Sequence, residues 1–107
     1  MERRAHTRFS VSYKVLIPEN GSYKETRTVD LSRSGMQIEV EGLEKFEIPE
    51  PTVLIRVPGK LASLAVKAKV VWSKKMGDLV RMGFEFIHLG QSDNMLLDEV
   101  IHEAALA

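Results

Sequence analysis

The sequence predicts an all-β domain closed by one C-terminal helix, with six antiparallel strands curled into a barrel. Three observations carry this. Apolar residues recur with a period of two in successive stretches between Val11 and Phe86, the signature of half-buried strands. Clusters rich in Pro, Gly, Asn, Asp and Ser separate those stretches and leave no room for a helix between them. Only the tail from Ser92 onward switches to helical spacing. A chain of 107 residues supports one hydrophobic core and is too short for two. The expected organisation is therefore a single domain over residues 1–107: an arginine-bearing arm at 1–10, a barrel at 11–91 and a helix at 92–107.

The elements follow in order. Val11, Tyr13, Val15 and Ile17 alternate with mostly polar neighbours and stop at Pro18, giving a first strand. The turn "ENG" leads to a second over Tyr23 to Leu31. After "DLSRSG", the period of two resumes at Met36, Ile38 and Val40. Residues 41 to 51, "EGLEKFEIPEP", hold two prolines and read as a loop pinned by Leu43, Phe46 and Ile48. "TVLIRVP" is a short fourth strand. Leu64, Val66, Ala68, Val70 and Trp72 form the longest two-faced strand, so alternation places Trp72 on the core face. "KKMGD" turns the chain back into Val80, Met82, Phe84 and Phe86. From Ser92 or Asp93 as cap, Leu97, Val100, Ile101 and Ala104 fall on one helical face. Short turns between consecutive strands favour antiparallel pairing, and one-sided apolar faces are buried by closing the sheet.

Composition removes whole classes of function. Fifteen Lys and Arg balance fifteen Asp and Glu, so the molecule lacks the field of a protein that coats DNA or RNA. There is no cysteine, which eliminates disulfides, thiolate metal sites and thiol nucleophiles together. No apolar run approaches a membrane span and the N-terminus is charged where a secretory signal needs an apolar core. A cytoplasmic protein without membrane insertion is expected. His6, His88 and His102 show no metal-ligand spacing, and no Gly-rich phosphate loop, nucleophile elbow or acid-base pair stands out. No enzyme, metal or cofactor is expected.

Against that neutral background, "RRAHTRF" at residues 3–9 gathers three arginines ahead of the first strand. Alone it reads as readily as a solvated basic tail. "DLSRSG" at 30–35 is a compact polar turn with an acceptor in Asp30, a hydroxyl in Ser32, a guanidinium in Arg33 and, in Gly35, a residue free to take positive φ or to admit a close backbone approach. Alone it reads as turn chemistry. In combination, R-x-x-x-R (Arg4, Arg8) followed by D-x-S-x-x-G (Asp30, Ser32, Gly35) in a six-strand chain with a closing helix resembles the PilZ domain. That family is known as a receptor for the bacterial second messenger cyclic di-GMP. The resemblance extends from Arg4 through "VVWS" (70–73) to "RMGFEF" (81–86).

The resemblance implies a split barrel that binds cyclic di-GMP and relays the bound state to an unidentified effector protein, in motility or exopolysaccharide regulation. It implies that Arg4 and Arg8 clamp the ligand, that Asp30 and Ser32 read guanine edges, and that Gly35 shapes the turn, with Arg3 and Arg33 as auxiliaries. The chemistry of the residues agrees. Arginine forks onto phosphate oxygens and onto guanine O6 and N7, and its plane stacks on a base. A carboxylate suits the guanine N1 and N2 hydrogens. Within the family the residue at Arg3 bears on whether one nucleotide or a stacked pair is bound, and a guanidinium there favours the pair. The alternative to a core Trp72 is a strand-end ring stacking near a guanine; Arg81, alternating outward, flanks the site or is plain surface charge; Lys67 and Lys69 read as a solvent face or a basic stripe for a partner. Asp98, Glu99 and Glu103 read as a solvated helix face, and Met95, Leu96 and Leu106 as a seat for a partner or the edge of the core. Two rivals remain: a ligand-independent adaptor of the same fold, and a small barrel for single-stranded nucleic acid. The second requires exposed aromatics among basic residues, whereas Tyr13, Phe84 and Phe86 fall on apolar faces.

Overall fold

The computed structural model describes residues 7–19, 21–41, 50–61 and 63–106. Six strands run in the order β1 (Lys14–Glu19), β2 (Ser22–Leu31), β3 (Gly35–Glu41), β4 (Thr52–Arg56), β5 (Leu64–Met76) and β6 (Leu79–His88), followed by α1 (Gln91–Leu106). All pairings are antiparallel, and the sheet closes as β1-β2-β3-β6-β5-β4. The alternating residues face inward as their period demands: Val15, Ile17, Leu31, Met36, Ile38, Val53, Ile55, Leu64, Val66, Ala68, Met82 and Phe84 form one buried core. Leu97 and Val100 of α1 extend it, so the helix buries one stripe over the barrel and leaves Met95 and Leu106 exposed. The loop residues Leu43, Phe46 and Ile48 lie outside the described residues.

Several boundaries differ from expectation for identifiable reasons. Residues 11–13 precede β1 proper, yet they lie along β2: Thr28 N–H donates to the Tyr13 carbonyl at 2.9 Å and Tyr13 N–H donates to the Thr28 hydroxyl at 2.9 Å. Pro18 does not end β1. The strand pairs β4 only over Lys14–Leu16, so beyond that point one side is an edge, where a missing N–H is tolerated. β5 continues through Lys74 and Lys75 to Met76, leaving only Gly77 and Asp78 as the turn into β6. Ser92 and Asp93 sit within the first turn of α1 instead of capping it, and the Asp93 carboxylate accepts the Ala65 N–H at 3.1 Å, fastening the helix to β5.

The sheet has three register shifts, one of them between Lys67 and Ala68, and the other two decide what faces outward beside the polar turn. The β2–β3 register shifts between Thr28 and Asp30, and the β5–β6 register shifts between Val70 and Trp72. A bulge inserts one residue and turns every later side chain to the other face. Val29 and Val71 are the inserted residues. Trp72 is consequently not a core residue: its relative exposure is 40% while Val70, two positions earlier, packs against the core.

Candidate functional site

The bulge at Val29 places Asp30 on the outer face, opposite Gln37. Without it, Asp30 would share the inward face of Thr28, which is buried. The Gln37 N–H and side-chain amide donate to the Asp30 carboxylate at 3.2 and 3.0 Å. A third donor arrives from the arm. Phe9 pairs with Leu31 through two backbone hydrogen bonds of 2.9 Å, which sets the neighbouring Arg8 against β2. Its guanidinium donates to Asp30 Oδ1 at 2.9 Å, with both side chains less than a fifth exposed. The structure thus joins the arm to the polar turn. Arg8 Nε is buried and has no acceptor among the described residues. Arg3, Arg4 and His6 lie outside the described residues.

The remaining turn residues serve the turn itself. Ser32 is 1% exposed; its hydroxyl accepts the N–H groups of Ser34 and Gly35 at 3.2 Å and donates toward the Gly35 carbonyl at 3.3 Å. Gly35 opens β3 without a left-handed φ. Its requirement is a close approach, because a Cβ there would lie 2.0 Å from the Phe84 carbonyl oxygen. Arg33 reaches out of the turn to pair with Asp98 of α1, so Asp98 is more than a solvated charge. Likewise Glu99 and Glu103 pair with Lys60 at 3.2 and 3.6 Å.

From Asp30 the outer face continues along one cross-strand row: Gln37 lies opposite Gly83 and Gly83 opposite Trp72. With strands about 4.8 Å apart, the row from Asp30 to Trp72 spans about 14 Å. The indole lies over Gly83, since a Cβ there would meet Trp72 Nε1 at 2.2 Å and Cε2 at 2.5 Å. A flat ring on bare backbone is a stacking surface. Arg81 borders the row, paired with Glu39 at 3.1 Å, and its Nε is a second buried donor without an acceptor among the described residues.

Alternation favours the core for Trp72 over a stacking role and does not single out Gln37. The signal for Trp72 was the pair Val70-Val71, which breaks the period of two, together with a glycine inside the facing strand. Gln37 carried no signal beyond lying outward on β3. Among the described residues no group of three or more His, Asp or Glu could hold a metal ion, and no helix is long and apolar enough to cross a membrane.

The fold is shared with solved structures of known proteins. The E. coli YcgR PilZ domain, solved with c-di-GMP, is similar over 97% of this chain and 92% of its own, at 18% identity and a TM-score of 0.74. The K. pneumonia MrkH–c-di-GMP complex is similar over 99% of this chain and 54% of its own, at 13% identity and a TM-score of 0.81. The Bacillus subtilis inhibitor of motility MotI/DgrA matches 98% of this chain and 51% of its own, at 16% identity and a TM-score of 0.77. The chain spans about half the length of those last two proteins. No curated protein matches it. The sequence profile of the PilZ domain covers residues 2–103. The chain with the arginine arm, the Asp-Ser-Gly turn and the six-stranded barrel belongs to the PilZ domain family.

Proposed function

We propose that this chain binds cyclic di-GMP across the row from Asp30 to Trp72 and passes the occupied state to a partner protein without catalysis. The observation that carries the proposal is the 2.9 Å contact between Arg8, from the first motif, and Asp30, from the second. In this reading Arg8 and Arg4 clamp phosphate and guanine, Arg4 lying four residues upstream and so within about 14 Å along the chain. Asp30 reads a guanine edge. A carboxylate has about four lone-pair sites, and three donors already address this one. Accepting both N1–H and N2–H therefore requires one of the three donors to leave, and in this reading it is Arg8, whose departure also frees a guanidinium for phosphate as the ligand arrives. Trp72 stacks on a base. Ser32 reaches an acceptor by giving up one bond within the turn, and Gly35 keeps the turn close against β6. Arg33 acts as an auxiliary by releasing Asp98, which would carry the signal to α1. Arg3 favours a stacked pair of nucleotides.

Four charged contacts at about 1–3 kcal/mol each, less the ordering cost of the arm, support binding near the micromolar level, about −8 kcal/mol. Calorimetry of the wild type and of Arg4→Ala and Arg8→Ala tests this with cyclic di-GMP, cyclic di-AMP, GTP and a short single strand. The expected result is selective binding of cyclic di-GMP at two per chain, weakened at least tenfold in either variant. No binding of cyclic di-GMP by the wild type would overturn the proposal in favour of a ligand-independent adaptor. Binding of the single strand with steep salt dependence would overturn it in favour of the nucleic-acid reading. A stoichiometry of one removes the stacked pair and the role of Arg3.

A further inference from the structure

A second concentration of cations lies on the other side of β2 from the Asp30 row. Lys14 on β1 stands opposite Arg27 on β2 and opposite Arg56 on β4. Three cations are thus abreast on three adjacent strands, spaced about 4.8 Å apart. Like charges placed directly opposite in a sheet repel. They form one wall of a cleft of about 320 Å³, completed by Tyr13, Pro58 and Lys60.

The carboxylates nearby offset this row only in part: Glu39 stands opposite Arg27 on β3 but pairs with Arg81. Glu25 pairs with Lys14 at 3.4 Å, and Glu99 and Glu103 pair with Lys60. Neither Arg27 nor Arg56 has a carboxylate partner among the described residues. The Arg27 guanidinium donates to the Ser12 carbonyl at 2.9 Å, which orients it along the cleft. Both arginines are exposed.

We propose that this cleft is an anion site for the phosphate or diphosphate group of a small phosphorylated molecule. Two guanidinium forks flanking an ammonium match the oxygens of such a group, while Tyr13 and Pro58 offer an apolar wall to the rest of the molecule. The volume falls in the range of small-molecule pockets, which favours a compact anion over an acidic peptide. None of its cations lies on the arm at residues 1–10. Arg27 is three residues from Asp30, about 10 Å along an extended strand, and from β2 the two rows run in opposite directions around the barrel.

Pyrophosphate titrated into the full chain at low ionic strength, followed by backbone amide NMR, tests the assignment. Saturable shifts are expected at Tyr13, Lys14, Arg27 and residues 56–60, unchanged when cyclic di-GMP is already bound. The double variant Lys14→Gln/Arg56→Gln, checked for folding by its unaltered spectrum elsewhere, should weaken them at least tenfold. The proposal is overturned if these amides do not respond, if potassium chloride at equal ionic strength reproduces the shifts, or if the shifts appear at Arg8 and Asp30 instead. It is also overturned if a glutamate-rich peptide saturates the cleft where pyrophosphate does not. Loss of cyclic di-GMP binding leaves this experiment intact, and the reverse also holds, so the two proposals fail separately.

Discussion

Asp30 and Gly83 show how single residues build the proposed platform. Three donors converge on Asp30, so its half-buried charge is compensated before any ligand arrives, and removing Arg8 costs stability of about 1–3 kcal/mol. Gly35 and Gly83 are both required by close approach, but the neighbours differ. A Cβ at Gly35 meets a backbone carbonyl at 2.0 Å, whereas a Cβ at Gly83 meets the indole of Trp72. Backbone in a closed barrel cannot yield; a side chain that is 40% exposed can. Gly35→Ala is therefore expected to destabilise the fold by about 3 kcal/mol or more, and Gly83→Ala by about 1 kcal/mol. In exchange, Gly83→Ala should unseat the ring, shift the emission of the single tryptophan to the red and weaken cyclic di-GMP binding several-fold. Urea unfolding and fluorescence read both variants. Equal stability losses, or an unmoved emission maximum in Gly83→Ala, would refute the argument.

At the scale of elements, β2 is the organising strand, because it positions the arm as well as the carboxylate. Its Thr28 hydroxyl accepts from Tyr13 N–H and donates to the Val11 carbonyl, so a buried side chain holds residues 11–13 in place. Thr28→Val keeps the shape and leaves those backbone groups without their partner. The expected cost is about 1–3 kcal/mol, with faster hydrogen exchange at Tyr13 and weaker cyclic di-GMP binding because Arg8 is no longer registered against Asp30. Undiminished protection at Tyr13 would show that Phe9 and Leu31 alone secure the arm. The same strand shows why the fold was legible and the site only partly so. Alternation is a property of each strand by itself, and it located all six and most of the core. Bulges are a property of pairs of strands: Val29 and Val71 turn Asp30 and Trp72 outward because of what β3 and β6 present, and the local pattern alone assigned Trp72 to the interior. Motif spacing located Arg8 and Asp30 but was silent on Gln37, whose part depends on the register between β2 and β3.

For the whole molecule, the zero formal charge conceals a division of labour, with carboxylates of α1 facing cations of the barrel and its loops. Lys60 is clasped by Glu99 and Glu103, Arg33 by Asp98, and Asp93 holds Ala65, so the helix is docked by charge as well as by Leu97 and Val100. This arrangement has a pH signature. Its bonds and attraction to Glu99, with Glu103 behind it, raise Lys60 above its ordinary 10.5. Burial, reinforced by the Glu103 charge, raises Tyr13 above its ordinary 10.0. Both groups hold their protons more tightly folded than unfolded, so their contribution is complete below those ordinary values and is lost as pH rises through the folded ones. Stability from these two groups should be level through neutral pH and decline above about pH 10. Glu103 acts on both groups, and its partner Lys60 joins α1 to the β4–β5 connection. The helix should therefore loosen before the barrel opens. Denaturant unfolding between pH 8 and pH 11 should show a shallower alkaline loss in the double variant Tyr13→Phe/Lys60→Met than in the wild type, with amide exchange in α1 rising ahead of that in β3. Identical alkaline slopes in the two proteins would remove the coupling from the account, and simultaneous exchange of helix and barrel would show that they open as one unit.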